Sequence, residues 1–352
     1  MGGLRFTRRG FLKLGLGAAG GLALGGGAVG SLGRLAGPSG QSRPRGLDLF
    51  RRPAGPARVS LIKGDDRYRI VTQALETLKD EILGSIGNRP ILLKPNVVLS
   101  ANPLSDTHVD TVRAILDFLK PHYKKTIIIG EAGHQPTFDG FKACGYLELE
   151  KSYDARLVDL NRDRFEYRYV FGAEHQPLPV RISSTCLDPN VYTISAARMK
   201  THDYVLVTLS LKNLLLGCPI KDEKSNDKAL FHTGPKAVND ICHFNMFHIA
   251  QDVFPDLAVI DGFEAMEGDG PAWGTPFPAR VALASLDAVA ADAVATKVMG
   301  FDPGRVLYLA AMSRAGMGQG DLEKIELIGT PLDQCLYKFK PHKAMAELYQ
   351  LT

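Results

Sequence analysis

No Cys-x-x-Cys pair occurs in the 352 residues, and the five cysteines (Cys144, Cys186, Cys218, Cys242 and Cys335) stand far apart. That spacing disfavours an iron–sulfur cluster or a zinc ribbon, which need clustered thiolates, and leaves buried free thiols as the expected state. No GxGxxG follows a strand-like segment and no P-loop occurs, so neither device for cradling a nucleotide is present. A GxSxG elbow for a nucleophilic serine is also missing. Acidic residues are absent from residues 1–46, which hold seven basic ones (Arg5, Arg8, Arg9, Lys13, Arg34, Arg43, Arg45). Removing those seven charges from the formal +4 leaves −3 for the rest of the chain. No nucleic-acid partner is expected of such a body.

What the N-terminus does contain is TRRGFLKLG at residues 7–15, followed by a Gly/Ala/Leu stretch with no charge between Lys13 and Arg34. This resembles a twin-arginine signal peptide, an address read by the translocation machinery. Residues 1–36 are therefore expected to be signal peptide or anchor, and residues 37–57 a Gly/Pro/Arg linker. The destination is then the periplasm or another extracytoplasmic space. The inner membrane becomes a partner only if the leader stays uncleaved. Twin-arginine export moves folded proteins, which admits a cofactor loaded beforehand without naming one.

From residue 58 to 352 the chain alternates strand-like and helix-like segments. RVSLIK (58–63) reads as a strand and YRIVTQALETLKDEIL (68–83) as an amphipathic helix with apolar residues three and four apart. RPILLKPNVV (89–98), HVDTVRAILDFLKPHY (108–123) and TIIIGEAG (126–133) continue as strand, helix and strand. Further strands are expected at 156–160, 191–197, 204–210 and 256–263, and a helix at 287–300. The β-α-β-α-β order predicts an α/β fold: a mainly parallel sheet with helices on both faces. The aromatic, charged and Pro-containing segment 161–190 reads as an inserted excursion.

Ligands of open α/β sheets bind beyond the carboxyl ends of the strands. There this sequence places Lys94, Pro95 and Asn96, then Gly130, Glu131 and Gly133, then Lys200, Thr201 and His202, then Asp261 and Gly262. The run after His202, YVLVTLS, is apolar rather than alternating, and reads as an interior strand of the parallel sheet.

The set LKPN (93–96), Thr107, IIGEAG (128–133), MKTHDYVLVTLSLKNLLLG (199–217), FH (231–232), IDG (260–262) and MEGDGP (266–271) resembles the uncharacterised domain of unknown function 362 family. The resemblance covers about residues 58–300, and Lys-Thr-His followed by Leu-Lys-Asn and Gly is its most specific part. Many relatives carry a four-cysteine ferredoxin-like module that this chain lacks. The resemblance supplies a site and no reaction.

Lysines set beside an apolar core would hold a carboxylate or phosphate by charge-assisted hydrogen bonds. Burial would also lower a lysine pKa, which suits a base or a Schiff-base nucleophile. Lys200, His202 and Lys212 are thus the catalytic candidates. Lys94, Asn96, Glu131, Asn213, Gly268 and Gly270 are the ligand-binding ones, the two glycines because backbone amides can approach a ligand there. His232, Asp240 and Asp261 are candidate ligands of a divalent metal in a mixed nitrogen–oxygen site, while His243 and His248 read as helix-solvating residues. Two functions fit: an exported enzyme acting on a small anionic ligand with a metal or organic cofactor, or a periplasmic binding or maturation protein without turnover.

Overall fold

The structure, a computed structural model, describes residues 56–99, 101–234 and 240–347. The expected signal peptide and most of the linker lie outside those residues. Twelve strands are described: β1 (Ala57–Lys63), β2 (Ile91–Lys94), β3 (Ile127–Glu131), β4 (Ala155–Asp159), β5 (Phe165–Phe171), β6 (Pro177–Ser183), β7 (Tyr192–His202), β8 (Leu206–Thr208), β9 (Leu257–Glu267), β10 (Thr275–Phe277), β11 (Val281–Ser285) and β12 (Ile325–Gly329). The longer helices are α1 (Arg67–Glu76), α2 (Lys79–Ile86), α3 (Val109–Leu119), α4 (Thr137–Ala143), α5 (Ser210–Leu215), α6 (Asp240–Ile249), α7 (Ala288–Val298) and α8 (Leu307–Arg314).

Ten strands form one sheet with the path β12-β1-β11-β9-β7-β2-β3-β4, to which β10 adds on β9 and β8 on β7. Along that path every neighbouring pair is parallel except the two made by β11. Helices cover both faces, so the strands are buried on both sides and read as continuous apolar runs. The alternation of side chains assigns the faces. Leu93, Ile194 and Val259 pack with α1, α2 and α3, whereas Leu92, Met199 and Ile260 pack with α5 to α8. Truncating one of these fully buried side chains, Leu92→Ala for example, would cost about 2–5 kcal/mol.

Local chemistry explains most boundaries. Asp66 accepts the Arg69 amide at 2.9 Å and starts α1, whose buried stripe is Ile70, Val71, Ala74 and Leu75. The helix expected over 68–83 is two helices, because the chain leaves helical geometry at Leu78. The excursion is an antiparallel β5–β6 ribbon outside the main sheet. Among the described residues, no helix is long and apolar enough to cross a membrane.

Two expectations are corrected. β7 does not stop at Ala197 but runs on through Lys200, Thr201 and His202, because β9 on one side and β8 on the other keep its backbone paired. The apolar run 204–210 is not an interior parallel strand. Only Leu206–Thr208 is extended, folded back antiparallel on the end of β7. Its apolar character follows from burial of Val205 to Leu209 in the α5–α8 layer.

Candidate functional site

Lys94 closes β2, with Ser195 of β7 as its ladder partner. Its side chain is on the same face as Leu92 and is fully buried. The ammonium donates to Glu131 Oε1 at 2.9 Å, Asn213 Oδ1 at 3.1 Å and the Pro95 carbonyl at 3.0 Å. Glu131 Oε2 accepts the Val97 amide at 2.9 Å. Asn213, on α5, donates through Nδ2 to the Lys94 carbonyl at 3.2 Å and to Ser195 Oγ at 3.0 Å. Three predicted ligand-binding residues thus meet, and they satisfy one another. Desolvating Lys94 and Glu131 costs several kcal/mol per ion, so a pair at this depth persists only with such complete hydrogen bonding. Gly217 completes the arrangement: a β-carbon there would overlap Cε and Nζ of Lys94. Leu-Lys-Asn-x-x-x-Gly is thereby a seat for Lys94.

Beyond that lock, β7 and β9 overhang the end of β2 and carry a second group. Lys200 is fully buried and donates to the Ser105 carbonyl at 2.5 Å. Burial lowers its pKa to about 7; Asp106 opposes the shift, while Lys212 and Arg198 add to it. Lys212 is 8% exposed, and burial lowers it to about 8. Among the described residues its ammonium has no hydrogen bond or ion pair. Lys228, which sequence reasoning missed, is also lowered to about 8 by burial, with Glu131 opposing and Lys94 reinforcing. Among the described residues its ammonium donates to the Leu216 carbonyl alone, at 3.3 Å. The signal for it was present in its spacing four residues before His232.

Two imidazoles border these lysines. His202 Nδ1 accepts the Tyr204 amide at 3.0 Å, which leaves that nitrogen bare and puts the proton on Nε2. Asp203 Oδ1 lies 3.3 Å from the same nitrogen. An ion pair there would need a charged ring, which burial, Lys212 and His232 all oppose, so His202 is neutral. His232 donates from Nδ1 to the Lys228 carbonyl at 3.0 Å, and Nε2 keeps a free lone pair. Burial, then Lys212, lower His232 to about 4. The rings stack at 6.0 Å between centroids, and Tyr204 meets His232 edge-on at 4.9 Å. Asn96 Oδ1, Thr208 Oγ1 and Ser210 Oγ are buried without a hydrogen-bond partner among the described residues, and Thr208 stands directly opposite Lys200 in the β7–β8 ladder.

The remaining candidates lie elsewhere. Asp261 shares the face of Val259, toward α1 and α3, where it accepts Thr111 Oγ1 at 2.8 Å and pairs with Arg67 at 3.1 Å. Asp240 opens α6. His232, Asp240 and Asp261 are therefore not gathered as a metal site, and among the described residues no three His, Cys, Asp or Glu side chains are grouped to hold a metal ion. Gly268 and Gly270 pack on the strand itself: the Gly268 carbonyl accepts Thr201 Oγ1 at 3.0 Å, and a β-carbon on Gly270 would overlap the Thr201 carbonyl. His243 accepts the Tyr308 amide at 3.2 Å in the α6–α8 contact, and His248 packs on Phe244 and Phe171.

Fold and site define an α/β protein with a buried basic cluster beyond the carboxyl ends of its parallel strands. The sequence model of the family described as domain of unknown function (DUF362) matches residues 91–297, and the chain belongs to that family. It is 29% identical over 250 residues to the thylakoid-associated protein sll1697 of Synechocystis sp., a match covering 67% of this chain and 73% of that protein. Among solved structures it is similar to the lactate racemase apoprotein of Thermoanaerobacterium thermosaccharolyticum, with TM-score 0.42 and 14% identity over 62% of this chain and 52% of that one. A protein from Thermotoga maritima gives TM-score 0.40 and 11% identity over 72% and 59% of the two chains. The chain thus spans less than two thirds of either structure.

Proposed function

We propose that this protein is an enzyme that binds a small carboxylate or phosphate at Lys200, Lys212 and Lys228 and moves a proton on it. The observation that carries the reading is Lys212, an almost fully buried ammonium with no hydrogen bond or ion pair among the described residues, near two more buried lysines. Asp203 favours its charged form without offsetting the burial, and an under-compensated charge at that depth is unfavourable by several kcal/mol, which a bound anion offsets. Lys200, with a pKa of about 7, is poised near neutrality as a base. His232 Nε2 is a second acceptor, and His202 Nε2 a donor.

The test is thermal unfolding of the full chain with inorganic phosphate and with short mono- and dicarboxylates. At least one should raise the melting temperature, and Lys212→Ala should abolish that rise. Lys212→Arg should not restore it, since a planar fork does not replace a compact ammonium. No response to any of these anions, or an unchanged response in Lys212→Ala, overturns the site. Turnover of the bound anion separates enzyme from a binding or maturation protein. That second reading is favoured by the commitment of His202 and Lys200 to internal partners.

We also infer export by the twin-arginine route, supported by Arg8 and Arg9 and the uncharged stretch that follows Lys13.

A further inference from the structure

The β5–β6 ribbon leaves one strand edge open. In its ladder the Gly172 amide donates to the Gln176 carbonyl at 2.9 Å, and the Ser184 amide donates to the Arg164 carbonyl at 2.8 Å. Even-numbered residues of β5 therefore face β6, and the odd ones, Phe165, Tyr167, Tyr169 and Phe171, direct their amides and carbonyls away from it. Phe171 is capped: Asn245 accepts its amide at 2.8 Å and donates to its carbonyl at 2.9 Å. No such cap covers the amides of Phe165, Tyr167 and Tyr169 among the described residues. Those three side chains are also exposed, at 42%, 59% and 55%. Natural sheets blunt an open edge with proline, a bulge, charged side chains or covering chain. The stretch 165–169 has no proline or bulge and, among the described residues, no chain paired on that edge, and its two charges, Glu166 and Arg168, are of opposite sign.

We propose that this edge is an interface with a second copy of the same chain, paired antiparallel about a two-fold axis at Tyr167. The sequence Phe165-Glu166-Tyr167-Arg168-Tyr169 is self-complementary in that register. Tyr167 faces Tyr167 of the second copy, Phe165 faces Tyr169, and Glu166 faces Arg168. The outward amides and carbonyls of 165, 167 and 169 find partners, because odd positions meet odd positions. In the free chain Arg168 donates from Nη1 to the Tyr167 carbonyl at 2.9 Å and pairs with Glu166 and with Asp252, each at 3.1 Å; it gives up that carbonyl on pairing. The exposed aromatics form one ladder across the joint, and the opposite charges stand side by side, each a favourable cross-strand pair. Asn245 ends the pairing at Phe171, so the contact closes as an isologous dimer rather than growing into a fibre. Edge pairing of this kind draws affinity from main-chain bonds and selectivity from side-chain register.

Sedimentation velocity on the full chain over about 1–300 μM tests the pairing. The expected wild-type result is a concentration-dependent dimer. Tyr167→Pro removes one outward amide at a position where an edge strand tolerates proline, and should weaken association at least about tenfold. Glu166→Arg and Arg168→Glu should each fail to self-associate, since like charges then face each other. Their equimolar mixture should form a heterodimer, because both mixed pairs become opposite in sign. Far-ultraviolet circular dichroism and melting temperature confirm that each variant is folded. A monomeric wild type throughout that range overturns the proposal. So does a mixture of the two folded variants that stays monomeric, or self-association that Tyr167→Pro leaves unchanged.

Discussion

Gly217 lies against the ammonium of Lys94, 123 positions apart in sequence, and no other residue leaves that ammonium its place. Gly217→Ala would force Lys94 away from Glu131 or Asn213, and either move leaves a buried ion short of partners. The expected loss of stability is about 2–4 kcal/mol. Urea unfolding of the variant against the parent measures it, and a change below about 0.5 kcal/mol would show that the lock is not what holds this end of the sheet.

Anion affinity should fall as pH rises. Lys200 is held at about 7 and Lys212 and Lys228 at about 8. An anion favours their charged forms, so binding takes up protons once the solution is above those values. Titration calorimetry with a short carboxylate, which stays ionised across this range, in two buffers of different ionisation enthalpy reads that uptake directly. It should be small at pH 6 and substantial near pH 8. An affinity that climbs between pH 7 and 9 contradicts the assignment.

The same three groups act oppositely on the ligand-free fold. Their folded pKa values lie below the ordinary lysine value of 10.5, so their contribution to stability is lost as pH falls from about 10.5 toward 7. Asp292 on α7 adds a slope of the other sign. It accepts the Ser210 and Leu211 amides at 2.9 and 3.1 Å, and burial pushes its pKa up to about 8. Stability from this carboxyl is present at acid pH and declines as pH rises from about 4 to 8. Asp292→Asn should flatten the pH dependence of the melting temperature across that range. A slope identical to the parent's would exclude Asp292 as its source.

The proposed export rests on the paired arginines. Arg8→Lys with Arg9→Lys should hold the protein in the cytoplasm, and blocking the general secretory route should not. Cell fractionation decides it: extracytoplasmic material from the doubly substituted chain would count against the twin-arginine assignment. The melting temperature should not change, since the fold described begins at β1.

Much of the architecture was legible because burial writes itself into sequence. Ile91, Leu92 and Leu93 form an apolar run that only a strand covered on both faces needs. The stripe Val112, Ile115, Leu116 and Leu119 gives α3 its helical period. The strands β11 and β12 were not among the expected elements, and the reversed direction of β11 leaves no mark, since a two-sided apolar strand reads alike in either direction. In the site, the clustering of Lys200, His202, Lys212 and His232 followed from their motifs. Asp261 was misplaced because a strand residue's face depends on register, which a lone Ile-Asp-Gly does not reveal. Lys94, Glu131 and Asn213 are joined by mutual satisfaction, a property of three-dimensional distance. The glycines 268 and 270 were read as ligand-facing, whereas Gly270 leaves room for the Thr201 carbonyl and Gly268 takes a left-handed backbone (φ +74°) whose carbonyl accepts Thr201 Oγ1.

The place of β1 in the sheet bears on how the chain comes to be folded. Although first in sequence, β1 sits between β11 and β12, with registers such as Ser60 to Ala284 and Val59 to Leu327. Its partners are the last of the described strands in chain order, so β1 stays unpaired by them while more than two hundred further residues are made. High contact order of this kind slows folding and keeps apolar segments in solution longer. β1 therefore waits for more than two hundred residues of chain before either of its sheet partners exists.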